Sequence, residues 1–248
     1  MPLKFVSSRL AAACVLALVL CASFASAAVA KGPVADMRVI GAGGKFIAEG
    51  AYGAATATVK TSPKATCFGP GTGGSGKSVT VKGPTALGML ILAAQRTGAL
   101  KPLLITDAFD FGLGLCGIGG AVADLKLSWY LKVNHKNPEL GGEMVKVKAG
   151  DDVLWALAAF PYPDELVLSA PDRAQAGAPF TVRVFSYDDK GKKTPAVGAR
   201  VTGAAAPTGK DGRTTVTLQK ATRLIARHGK DIPSNREAVC VGGKCPRG

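Results

Sequence analysis

Residues 69–82, GPGTGGSGKSVTVK, decide between two folds. From Gly71 the string fits G-x-x-x-x-G-K-[ST], the phosphate-cradling loop of nucleotide-hydrolysing enzymes. Such a loop needs a buried apolar strand before the glycines and a helix beginning at the Lys-Ser, whose first amides face the phosphate. Here the residues before it, 60–66, read KTSPKAT, polar and broken by proline. The residues after it, 78–82, alternate with β-branched side chains as a strand does, and Gly83-Pro84 ends them. The reading is strand-forming on the downstream side with no helix at Lys77. It makes the nucleotide motif accidental and the chain mainly β with one main helix.

That helix comes next. Thr85 is the expected N-cap of residues 86–96, ALGMLILAAQR, and Gly98 the expected stop. Apolar residues cover most of its faces, so it should pack across a sheet. Before the loop, residues 37–40, 45–48 and 56–61 read as extended segments, an opening hairpin around the turn at 41–44. Residues 103–106 read as a strand, and 107–120, DAFDFGLGLCGIGG, as an irregular loop. Its Asp110-Phe111-Gly112 spells the D-F-G of protein kinases, but no H-R-D loop or V-A-I-K strand accompanies it. Asp107 and Asp110 read as turn caps in preference to cation ligands, since calcium wants more oxygens than two carboxylates supply. Residues 128–135, 144–148 and 153–157 read as strands. Beyond the proline-marked segment FPYP at 160–163, short strands at 166–168, 180–187, 199–201, 214–218, 222–227 and 237–240 alternate with turn signals, a sandwich pattern.

Lys4 and Arg9, the apolar run 11–24 and the small residues Ala25-Ser26-Ala27 form the layout of a secretory signal peptide over residues 1–30, with cleavage expected after Ala27 or Ala30. About 218 residues would remain, enough for one or two domains. Without Lys4 and Arg9 the net charge falls from +14 to about +12. That charge permits loose binding to anionic cell-surface or wall polymers. The basic residues are dispersed and form no aromatic-interleaved stripe, so no specific nucleic-acid reader is expected. No membrane span is expected after cleavage, and a monomer is. Cys67, Cys116, Cys240 and Cys245 remain, an even count that reads as disulfides with three possible pairings. Cys67–Cys116 and Cys240–Cys245 are favoured, the second closing a short loop. With only His135 and His228 available, no metal site is expected.

WYLKVN at 129–134 followed by VKVKAGDDVLW at 145–155, with the helix PTALGMLILAA before them, resembles the DUF4430 family, whose domain is similar to the C-terminal domain of transcobalamin and intrinsic factor. The resemblance covers about residues 34–158. It implies a β-grasp-like α+β domain (31–158), then a linker (159–164). Family members commonly carry V-N-G after the aromatic strand, whereas Asn134 here precedes His135-Lys136, so this turn is built differently. The runs GARVTG at 198–203 and PTGKDGRTTVTL at 207–218 resemble bacterial Ig-like modules, implying an Ig-like β-sandwich with a C-terminal cysteine loop over 165–248.

The catalytic inventory is thin. No serine sits in G-x-S-x-G. The pairs Asp151-Asp152 and Asp164-Glu165 are adjacent, and neighbouring strand residues point to opposite faces. The expectation is a secreted, non-catalytic binding or surface-interaction protein without a cofactor. Trp129, Tyr130, Asn134, His135, Asp107 and Asp110 are its candidate ligand-facing residues. The alternatives are a small-molecule carrier, for a corrinoid by the family resemblance, and a hydrolase using Asp107, Asp110 and His135.

Overall fold

A computed structural model describes residues 32–246; the leader and cleavage sites expected in residues 1–30 lie outside the described residues. The chain is mainly β with a single α-helix among the described residues. Strands β1 (Val34–Gly41), β2 (Lys45–Gly53), β3 (Ala57–Lys60) and β4 (Ser78–Val81) precede α1 (Ala86–Arg96). After it come β5 (Leu103–Phe109), β6 (Gly112–Ile118), β7 (Ala121–Val122), β8 (Ser128–Val133) and β9 (Asp152–Ala158). The main sheet has the order β2-β1-β9-β8, with β1 and β9 parallel at its centre and an antiparallel strand on each flank.

Alternation along these strands gives the sheet two different faces. Ala35, Met37, Val39, Leu131, Val153 and Trp155 face one core with the helix residues Leu87, Met89, Leu90 and Ile91. The Thr85 hydroxyl caps α1 by accepting from the Gly88 amide, as its sequence position predicts. Gly88 has no room for a side chain, because a Cβ there would lie 2.8 Å from the Ala55 carbonyl oxygen. The opposite face carries Ile40, Tyr130, Leu154 and Ala156, which bury Ile232 of the second half of the chain.

That second half holds β10 (Glu165–Ser169), β11 (Arg173–Ala174), β12 (Pro179–Tyr187), β13 (Lys193–Pro195), β14 (Arg200–Val201), β15 (Arg213–Thr217), β16 (Thr222–Leu224), β17 (Ala226–Arg227) and β18 (Glu237–Val241). The long β12 pairs with β10 along one edge and with β15 and then β13 along the other. A second sheet runs β11-β18-β16, and β14 pairs with β17. Leu166, Val182, Val184, Val216, Leu224 and Val239 lie in a separate core between them.

Four local readings change. Residues 107–120 are not an irregular loop: β5 and β6 form a hairpin that turns at Asp110-Phe111. Glycines at 112, 114 and 117 lower the intrinsic strand preference, and pairing overrides it. Residues 144–148 keep alternating burial but make only a bridge from Lys146 to Thr85 at the start of α1. Residues 56–61 leave the opening hairpin: β3 pairs with β4 across the glycine-rich loop. Residues 222–227 split into β16 and β17, which join different partners.

The disulfides are Cys67–Cys116 and Cys240–Cys245. They close loops with sequence separations of 49 and 5. Loop-closure entropy then assigns about 4 kcal/mol to the first and about 2 kcal/mol to the second. Urea melts of the paired Cys→Ser variants should show that order; equal losses would place the stabilisation outside chain entropy.

Candidate functional site

The glycine-rich loop is a cradle already filled by the protein itself. The Gly74 amide donates to the Ser62 carbonyl oxygen at 2.8 Å, and the Gly76 amide to the Thr61 hydroxyl at 3.1 Å. The Lys77 amide donates to Ser75 Oγ at 3.2 Å. The Ser75 amide and hydroxyl donate to the two carboxylate oxygens of Asp107 at 2.7 and 2.6 Å. Those bonds, the side-chain one first, hold the Asp107 carboxyl below the usual range. No helix starts at Lys77, because β4 begins at Ser78. Asp107 thus takes the place an anion would occupy, and Asp110 is an exposed turn residue.

A second region is open. A cleft of about 580 Å³ lies beside β8, β6 and the loop from Asn137 to Glu143. Phe68, Phe109, Phe111, Trp129, Trp155 and Tyr162 supply its aromatic walls. Phe109 stacks on Phe111 at 5.0 Å and meets Phe68 edge-on at 5.3 Å. The Cys67–Cys116 bridge ties the segment carrying Phe68 to β6. Gly142 lets the loop lie on the indole of Trp155, where a Cβ would come within 2.6 Å of the ring. Glu143 Oε1 accepts from the Leu113 amide at 2.8 Å. Its Oε2, and the indole nitrogens of Trp129 and Trp155, are buried without a hydrogen-bond partner.

The third region is the joint between the sheet and the second half of the chain. Arg38, Leu154 and Lys132 form one cross-strand row. The Arg38 guanidinium donates to Glu165, to the Pro233 carbonyl at 2.8 Å and to the Leu166 carbonyl at 3.3 Å. Lys132 Nζ donates to the carbonyls of Tyr187 and Asp188, each at 2.9 Å, and lies 4.0 Å from Glu165. His135 stacks on Tyr187, its Nδ1 3.2 Å from Glu165 Oε2. Burial alone would raise the Glu165 carboxyl; the His135 ring, Arg38 and Lys132 outweigh it and hold it below the ordinary range. Burial also raises the Asp152 carboxyl, against Arg38, and lowers the Lys132 ammonium, against Glu165. His135, Asp152 and Glu165 bring metal-ligand atoms within 4.8 Å of one another. Arg38 and Lys132 already balance the two carboxylates there, so the electrostatics disfavour an added cation.

The sequence candidates therefore separate. Trp129 and Tyr130 line the cleft; the Tyr130 hydroxyl donates to Asp189, and its ring stacks on Tyr162 at 4.0 Å. Burial, then Asp189, pushes the Tyr130 phenol up. Asn134 organises its turn, donating to Asp151 at 2.9 Å and accepting from the Asp152 amide at 3.0 Å. His135 belongs to the joint and Asp107 to the cradle. Sequence reasoning missed Glu143, which is local to a glycine turn and carries no pattern. It also missed Arg38, Lys132 and Glu165, although a lone cation inside MRVI or WYLKV is a signal that the strand's second face is covered. No protein-family model, curated protein or solved structure matches this chain. Among the described residues no helix is long and apolar enough to cross a membrane.

Glu165, depressed in the folded state, contributes stability that is present above its unfolded value near 4.5 and lost as pH falls through the folded one. Asp152, raised, works in the opposite direction and offsets part of that loss. Glu165→Gln should cost about 3–5 kcal/mol at neutral pH, by leaving buried cations unpaired. It should also flatten the acid decline in urea melts; an unchanged pH slope would assign the decline to another carboxylate.

Proposed function

We propose that this chain is a secreted, non-catalytic binding protein that takes its ligand in the aromatic cleft beside β8. One observation carries the reading: three buried polar atoms without partners, on Trp129, Trp155 and Glu143, belong to residues lining the same cleft. A buried donor or acceptor left unpaired costs about 1–3 kcal/mol. A ligand with hydrogen-bond acceptors for the indoles and a donor for the carboxylate would recover that cost on binding. The cleft's volume and its mostly apolar walls with a few polar atoms are those of ligand sites in general. Secretion is supported by the signal-peptide pattern and agrees with the two disulfides. The resemblance to the transcobalamin-like family supports a ligand-binding role for the first half of the chain, with the second half as an Ig-like partner module. Two of the proposed hydrolase groups are engaged elsewhere: Asp107 with Ser75, and His135 beside Glu165.

The first experiment is a native mass spectrum of the protein purified from its host's medium, beside the Trp129→Phe variant. A discrete extra mass on the wild type, lost in the variant, is the outcome for a carrier with a resident ligand. A bare mass points to an exchangeable ligand. In that case Trp129→Phe, which removes the unpaired N–H, should leave the empty protein as stable as wild type or about 1 kcal/mol more stable. A variant clearly less stable than wild type would mean the indole N–H serves the fold, and would remove the support for this site.

A further inference from the structure

We infer that the occupant of this cleft is an extended peptide segment carrying a cationic side chain, held by strand addition to the free edge of β8. The inference rests on the cleft being a binding site and specifies what it binds. Among the described residues β8 pairs with no strand but β9 and ends the sheet order β2-β1-β9-β8; only its last residue, Val133, has a further backbone partner, Lys136 of the following turn. Ser128, Trp129, Tyr130 and Leu131 all line the cleft. Successive strand side chains point to opposite faces, so the surface these four residues share is the edge of the strand. An edge strand presents a row of unpaired N–H and C=O groups, the template for pairing with another extended chain. Strand addition draws affinity from those main-chain bonds and specificity from pockets for alternate side chains.

The walls supply both kinds of pocket. Trp129, Phe109 and Phe111 offer an apolar, aromatic surface, and Trp155 is 4% exposed with its indole nitrogen unpaired. A peptide carbonyl is an acceptor of the kind the indoles lack. Charge fixes the remaining feature. The whole chain carries a net +14, yet the cleft is lined by Asp124, Glu139 and Glu143 and by no Lys, Arg or His. Asp124 spends one carboxylate oxygen on the Lys126 and Leu127 amides of its own turn. Glu143 Oε2 has no partner, and Glu143 lines the cleft, so a Lys or Arg of the incoming strand is its complement. An anionic polymer, which suits the rest of the surface, does not suit this cleft.

The test uses the full chain, whose only two tryptophans both line the cleft, so intrinsic fluorescence reports occupancy directly. A random library of about 12-residue displayed peptides is panned against the protein, and enriched sequences are synthesised for fluorescence titration. The expected winners alternate apolar and polar residues and contain Lys or Arg. Methylating alternate backbone nitrogens should weaken them by about tenfold or more, through lost main-chain bonds. Glu143→Gln keeps an acceptor for the Leu113 amide and should weaken cationic peptides selectively, while neutral analogues bind as before. Enriched peptides whose affinity ignores backbone methylation and Glu143 would overturn strand addition. No enrichment, with saccharides or a resident small molecule shifting the fluorescence instead, would overturn the peptide while keeping the cleft as a binding site. Silence from every probe would overturn both.

Discussion

Glu165 is fully buried and ionised, and the arrangement of the chain follows from what it takes to keep it so. An isolated carboxylate cannot stay charged away from water; it must be paired and hydrogen-bonded, or it takes up a proton. Its partners come from β1, β8 and the turn after β8, which meet only if the sheet closes in the order β1-β9-β8. A one-residue slip would send Arg38 and Lys132 to the helix side, into an apolar core. Replacing such a cluster with apolar side chains is often neutral or stabilising. Its contribution here is to register and to the way the two halves of the chain meet.

The joint covers one face of β8, and the cleft runs along the edge of the same strand. Tyr130 and Lys132 point from β8 toward the joint, while Trp129 and Leu131 point toward the helix-side core. Tyr162, from the segment that connects the two halves, stacks on Tyr130 and also lines the cleft. Ser128 and the Tyr162 hydroxyl exchange a hydrogen bond at 2.7 Å. One wall of the cleft is therefore placed by the same contacts that dock the second half. A change at the joint should be felt in the cleft through Tyr130 and Tyr162.

How much of this could be read in advance depended on the range of the interaction. The cap at Thr85, the span of α1 and the strand after Lys77 are set by neighbours a few residues away, and the sequence pattern carried them. The β5–β6 hairpin was hidden because glycines at 112, 114 and 117 weaken local strand preference, and the pairing that restores it is not local. The joint was hidden further, because Arg38 and Glu165 are 127 residues apart. Of the six candidate residues, Trp129 and Tyr130 point to opposite faces of β8 and meet the cleft because β8 is an edge strand. Asn134 and Asp107 were absorbed by turn and loop hydrogen bonds that their residue types favour.

The contrast between satisfied and unsatisfied polar groups carries the functional argument. In the glycine-rich loop the amides of residues 74–77 all have internal acceptors, one of them a carboxylate standing where a phosphate would. At the joint Arg38 bonds Glu165 and two carbonyls, and Lys132 bonds two carbonyls. Buried polar atoms without a hydrogen-bond partner gather in two places: Arg38 Nε, His135 Nδ1 and Glu165 Oε2 at the joint, the last two 3.2 Å apart, and two indoles and a carboxylate oxygen around the cleft, beside an open strand edge. Phe in place of either tryptophan would remove its unpaired N–H. A buried donor or acceptor without a partner costs stability in the empty protein. On the proposed reading a partner meets that demand with the complementary chemistry: acceptors, a donor or cation, and an extended backbone.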